Sequence, residues 1–146
     1  MYFKEVIIDV ITDCIEIDTK GFTDIVDITE QVEKCVKKCG LEQGSCTVFV
    51  SGSTAAVTTI EFEPGLLKDL PEALEKFAPS GKQYYHDATW GDGNGNSHVR
   101  AAILGGSFTV PFKDATLLLG TWQQIVVIDC DNRSRHREIV VQIMGK

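Results

Sequence analysis

The chain has 146 residues, 43% of them apolar and 24% charged, with a formal net charge of −7 and a pI near 4.9. These values suit one soluble globular domain spanning 1–146 with a single substantial core. They argue against nucleic-acid binding, which needs a basic surface to displace counterions. No run of about 18 apolar residues marks a transmembrane helix, so no membrane partner is expected. Met1-Tyr2-Phe3-Lys4-Glu5 lacks the charged head, apolar middle and small-residue cleavage site of a signal peptide, so the cytoplasm is expected. Five cysteines (Cys14, Cys35, Cys39, Cys46 and Cys130) without a secretion signal argue against a disulfide framework.

From Phe3 to Asp18, β-branched residues alternate with others, which predicts two strands with a bend near Thr12-Asp13. Gly21-Phe22 marks a turn, and Phe22 to Ile28 suits a further short strand. Asp27 or Thr29 can cap a helix whose Val32, Cys35, Val36 and Cys39 fall at i, i+3, i+4, i+7. The two cysteines of that stripe read as buried, inert thiols. Cys46–Val50 and Val57–Glu63 read as strands. The Ser51-Gly52-Ser53-Thr54 link between them is a candidate anion site, because such turns expose backbone N–H groups, or simply a tight β connection.

Pro64 opens a second helix carrying Leu66, Leu67, Leu70, Leu74 and Phe77, with a kink or break at Pro71. Val99–Leu104 reads as a short helix stopped by Gly105-Gly106. Ser107–Phe112, Ala115–Leu119, Trp122–Asp131 and Glu138–Met144 read as strands, the last two joined by a hairpin loop at Asn132–His136. Strands outnumber helices by eight or nine to two or three, without regular alternation. The expected fold is α+β, mainly an antiparallel β-sandwich with the helices packed on one side.

Between the second and third helices lies Tyr85–Arg100, a glycine- and asparagine-rich loop holding His86, His98, Asp87, Asp92 and Arg100. Neutral imidazole is a common ligand for zinc and similar ions, and Asp87, Asp92, Glu61 or His136 are possible third ligands. The bland alternative is one surface and one structural histidine. The Arg100 guanidinium could clamp phosphate or carboxylate, or form a surface ion pair. Gly91–Gly95 lacks the strand–loop–helix setting of a dinucleotide loop, and no glutamate closes it as a calcium loop. Gly120-Thr121-Trp122-Gln123-Gln124 combines polar groups, a large ring and a glycine that permits close approach.

Several blocks share one pattern: Ser107-Phe108-Thr109-Val110-Pro111-Phe112, then Leu117-Leu118-Leu119-Gly120-Thr121-Trp122-Gln123-Gln124-Ile125. Upstream stand Ser53-Thr54-Ala55-Ala56-Val57, Glu61, Tyr85-His86-Asp87, Gly93-Asn94 and His98-Val99-Arg100-Ala101; Asp131–Arg137 and Val140-Val141 follow. The set closely resembles the YjbQ-like family, the UPF0047 group, over nearly the whole chain. The resemblance implies a β-rich sandwich that assembles as a homotrimer, and a weak secondary thiamine-phosphate synthase activity. That reaction joins hydroxymethylpyrimidine diphosphate to a thiazole phosphate and releases pyrophosphate. The resemblance also implies a site with His86 and His98 as metal ligands; Asp92, Glu61 and Arg100 in catalysis; and Thr54, Arg100 and Gln123 on the substrate. Many members carry His-Thr-Thr where this chain has Gly52-Ser53-Thr54, so a ligand at that position is absent.

Two functions are therefore expected as alternatives. One is a metal-assisted enzyme acting on a small phosphorylated substrate, with a divalent ion that is zinc by its ligands, or magnesium where a diphosphate is bound. The other is a non-catalytic trimer that binds a metal or small ligand.

Overall fold

A computed structural model of the chain describes residues 5–146. Phe3 and Lys4, where the first expected strand begins, and the Met1–Lys4 part of the N-terminal reading lie outside the described residues. Two antiparallel sheets face each other. The larger contains β1 (Asp9–Thr19), β3 (Gln43–Val50), β5 (Ser107–Lys113), β6 (Thr116–Leu117) and β8 (Arg135–Gly145), in the order β1-β8-β3-β5-β6. The smaller contains β2 (Asp24–Asp27), β4 (Ala55–Ile60) and β7 (Gln124–Asp129), in the order β2-β7-β4. The fold is the expected sheet-dominated α+β type.

The period-2 pattern of β1, β3, β5 and β8 turns one face of each strand inward. Ile15, Val48, Val110, Ile139, Val141 and Ile143 meet Val57, Ile125 and Val127 of the smaller sheet. Helix α1 (Thr29–Lys38) adds Val32 and Val36 to this core. Its start is fixed by Asp27, whose Oδ1 accepts from the Thr29 N–H at 2.9 Å. The opposite face of β7 forms a second core of Val126, Ile128 and Cys130, covered by Leu70 of α2 (Leu66–Phe77) and Leu104 of α4 (Gly95–Leu104). Strand β7 is thus apolar on both faces, which is why its sequence runs Ile-Val-Val-Ile without alternation.

Several expectations are corrected. The helices do not share one side: α1 packs into the inter-sheet core, while α2 and α4 cover the outer face of the smaller sheet. Residues 9–19 form one strand, because β8 pairs with them throughout, from Asp9 with Gly145 to Thr19 with Arg135. Pro71 sits inside one continuous α2, whose start is capped by Glu63 accepting from the N–H groups of Gly65 and Leu66. The expected hairpin at Asn132–His136 is not one, since β7 and β8 lie in different sheets.

Three connections cross between the sheets at one corner: residues 20–23, 51–54 and 130–134. The Phe22 N–H donates to the Asp131 carbonyl at 2.7 Å, and the Cys130 N–H donates to that of Thr54 at 2.9 Å. Gly21 has φ +75°, and a Cβ there would run into the carbonyls of Asp131 and Arg133. Only glycine fits so close an approach. No described helix is long and apolar enough to cross a membrane.

Candidate functional site

The corner where the crossings meet is filled by polar side chains. Asp129 and Asp131 are completely buried, and Arg137 is 7% exposed. Arg137 donates to Asp129 through Nε (2.8 Å) and Nη2 (2.9 Å), and Nη2 also reaches Thr54 Oγ1 at 2.8 Å. Thr19 adds its hydroxyl to Asp129 at 2.5 Å. Asp131 accepts from Thr54 Oγ1 (3.0 Å), Arg135 Nε (2.6 Å), Asn94 Nδ2 (3.3 Å) and the Asn132 N–H (2.8 Å). Burial would push both carboxyls up. The guanidinium, hydroxyl and backbone donors around them more than offset this and hold both below the ordinary carboxylate range. The guanidiniums of Arg137 and Arg135 face the carboxylates of Asp129 and Asp131, so the charges at the corner compensate one another.

On this corner sits a helical pair. The segment expected as a loop is mostly helix: α3 (Tyr85–Trp90), then a short turn, then α4. Gly91, at φ 71°, closes α3 in the left-handed conformation. Asp87 ties the two helices together, since its Oδ1 accepts from the Gly95 N–H at 2.9 Å and its Oδ2 from the Tyr84 N–H at 3.4 Å. His86 on α3 and His98 on α4 consequently meet, with ring centroids 4.2 Å apart and planes tilted by 48°. His86 Nε2 is buried with no hydrogen-bond partner, and the nearest charge is Asp92 Oδ1 at 3.4 Å. Asn94 Oδ1 is the other buried polar atom left unpaired among the described residues. Burial, with the His86 ring next in effect, lowers the His98 pKa and favours neutral imidazole. His98 lines a cavity of about 400 Å³ with Gly52, Ser53, Ala55, Ala101, Ala102 and Gly106.

The donors for an ion are in part assembled here. Two neutral-capable imidazoles and a carboxylate suit zinc, and the orphaned His86 Nε2 is a coordinating atom without an occupation in the protein itself. Two imidazoles on one tetrahedral ion hold their centroids roughly 5 Å apart, so the rings would have to part by about an ångström. Among the described residues, no three His, Cys, Asp or Glu side chains form a group close enough to enclose an ion.

The remaining expected site residues fall elsewhere. Thr54 is buried and committed to Asp131 and Arg137. Arg100 lies on another face of α4, where it donates to the Ala78 carbonyl (2.9 Å), Thr23 Oγ1 (3.0 Å) and Glu75 Oε2 (2.6 Å). Asp87 is the helix tie described above. Gln123 reaches Thr59 Oγ1 at 3.1 Å, and Glu61 follows the end of β4. Both sit at the far end of β4: at the rise of an extended strand, Thr59 is roughly 17 Å and Glu61 roughly 23 Å from Thr54. His136 is on the exposed face of β8, against Asp18 at 2.8 Å. One chain therefore brings His86 against His98 and within 3.4 Å of Asp92, without Glu61 or Gln123.

Sequence reasoning missed Asn94, Asp129, Asp131 and Arg137. Arg137 Nη1 lies 2.8 Å from the point a Cβ on Gly52 would occupy, so it underlies the 52–53 turn beside the cavity. The signals available were the blocks Gly93-Asn94 and Asp131–Arg137, and two aspartates ending an otherwise apolar strand.

The family model for UPF0047, YjbQ-like proteins, matches residues 13–146. A UPF0047 protein of Archaeoglobus fulgidus is 41% identical over 117 residues, covering 80% of this chain and 89% of that protein. One from Methanothermobacter thermautotrophicus is 37% identical over 141 residues, covering 97% and 96%. The crystal structure of a YbjQ-like protein from Sulfolobus solfataricus P2 superposes with a TM-score of 0.90 at 34% identity, covering 95% of this chain and 99% of that one. The match spans both sheets and the helical pair that carries the histidines, and the chain belongs to the YjbQ-like UPF0047 family.

Proposed function

We propose that the His86–His98 corner is the active site of a metal-assisted enzyme acting on a small phosphorylated molecule. The observation that carries this is the buried His86 Nε2 without a partner, beside the neutral-favouring His98 and 3.4 Å from Asp92. A buried unpaired nitrogen costs about 1–3 kcal/mol, and a ligand would recover that. His86 and His98 would hold the ion, with Asp92 as third donor. A bound divalent ion would supply charge neutralisation for a diphosphate leaving group. The Gly52-Ser53 turn, above the Arg137 guanidinium, offers the side of the cavity where phosphoryl oxygens would rest. The α3–α4 pair excludes water from His86 Nε2.

Thiamine-phosphate synthesis, with release of pyrophosphate, is the specific version the family resemblance implies. The test uses untagged protein, with bound metal measured by mass spectrometry and thiamine-phosphate formation assayed beside it. Near-stoichiometric zinc, lost in His86→Ala/His98→Ala, is the expected result. Activity that survives His98→Ala would overturn the catalytic assignment. Metal that persists without turnover on any diphosphate substrate would favour a non-catalytic, metal-binding trimer.

A further inference from the structure

A second cavity, of about 370 Å³, lies on the Arg100 side of α4, and its walls include Phe22, Glu75, Ser80, Ser97, Arg100 and Asn132. Arg100 is 5% exposed and Ser97 1% exposed, yet both face this space. Arg100 has five N–H groups, three of which are engaged with Ala78, Thr23 and Glu75. Ser97 stands in the first turn of α4, where the helix dipole favours an anion, although the Gly95 N–H is taken by Asp87 and those of Ser97 and His98 by the Asn94 carbonyl.

The same space already receives a carboxylate, supplied by the chain itself. Glu75 Oε2 takes the Arg100 Nη2 donor at 2.6 Å. Its Oε1 takes both the N–H and the hydroxyl of Ser80 at 2.7 Å. The Glu75 side chain is 47% exposed, so it can leave for water, whereas Arg100 cannot. A guanidinium so buried needs an anion at all times.

The approach to the cavity is also strained. Phe22 and Thr23 have φ of 56° and 64°, a region that costs non-glycine residues about 1–3 kcal/mol each. That conformation sets Thr23 Oγ1 on Arg100 and leaves the Phe22 ring exposed at the cavity rim.

We infer that this cavity is a second binding site, for a small carboxylate carried on a planar or aromatic body, and that Glu75 is its internal placeholder. The ligand carboxylate takes the Arg100 and Ser80 donors as Glu75 swings outward. Ser97 Oγ donates to the ligand, and the Phe22 ring covers its body. The site stands apart from the histidine pair and does not depend on it.

The test is an amide and arginine Nε–H titration by NMR, with sodium benzoate as probe and inorganic phosphate for comparison. Benzoate is expected to shift the Asn96 and Ser97 amides and the Arg100 Nε–H. Removing the competing charge in Glu75→Gln is expected to tighten benzoate by about tenfold, and Ser97→Ala to weaken it about threefold. Glu75→Ala gives the same reading should the glutamine variant fail to fold. His86→Ala/His98→Ala is expected to leave benzoate binding unchanged, which separates this site from the proposed metal site. No shift with benzoate at tens of millimolar in the Glu75 variants would overturn the inference. So would unchanged or weaker binding on loss of Glu75, or phosphate binding as tightly as benzoate.

Discussion

Replacing Arg137 with Leu tests whether the inter-sheet corner rests on one compensated ion pair. Asp129 is completely buried and takes two of its hydrogen bonds from Arg137. The substitution leaves that carboxylate with the Thr19 hydroxyl and the Asp131 N–H alone. Breaking a buried pair from one side costs about 3–5 kcal/mol, because a charge stays buried without its counter-charge. The lost Arg137–Thr54 bond places the expected cost near the middle, about 4 kcal/mol. Removing both charges, in Asp129→Leu/Arg137→Leu, leaves the Asp131 N–H without its acceptor and the Thr19 hydroxyl with only the Arg135 carbonyl, and is expected to cost only about 1–2 kcal/mol.

Urea unfolding at fixed protein concentration, read by circular dichroism at pH 7.5 and pH 5, measures both variants. In the wild type the Asp129 pKa is depressed on folding, so its contribution is present above the ordinary carboxylate pKa and is lost as pH falls through the lower folded value. It is therefore intact at both pH values. In Arg137→Leu the depressing cation is gone and burial raises the carboxyl. Proton uptake on acidification then neutralises the stranded charge, and the deficit shrinks at pH 5. A single-variant cost below about 1 kcal/mol, or a double variant as unstable as the single, would refute this account of the corner.

Other expectations concern the helical pair and the histidines. A Cβ on Gly95 would collide with the Cβ of Tyr84, so Gly95→Ala is expected to lower stability by about 1–3 kcal/mol in the same urea assay; an unchanged midpoint would show that α3 is free to move off α4. In metal-free protein, NMR titration is expected to place His98 below the ordinary histidine pKa, owing to burial and the His86 ring, and His136 above it, owing to its bond with Asp18. The signs differ accordingly. His98 favours the folded state above pH about 6.5 and loses this as pH falls through its lower folded value; His136 favours it below pH about 6.5 and loses this as pH rises through its higher one. The reverse order of titration would contradict the arrangement of these two rings.

Local pattern was enough to read α1, α2 and the inward faces of β3, β5 and β8. The stripe Val32, Cys35, Val36 is a one-face helix in any context, and the alternation around Val110 and Ile139 needs a half-buried sheet. The helicity of 85–90 was not legible, because it rests on Asp87 joining the Tyr84 and Gly95 amides across a glycine-rich turn. The meeting of His86 with His98 follows from that tie, so the sequence named both residues but not their 4.2 Å contact. The 130–134 segment looked like a hairpin because strand–turn–strand patterning does not say which sheet each strand joins. Thr54 and Arg100 looked available for a ligand because their partners are distant in the chain: Asp131 stands 77 residues after Thr54, and Glu75 stands 25 before Arg100. Periodicity fixes which face of an element is apolar. Which buried charge neutralises which is decided only when the two sheets close on each other, because a desolvated charge takes whatever counter-charge the fold brings within reach.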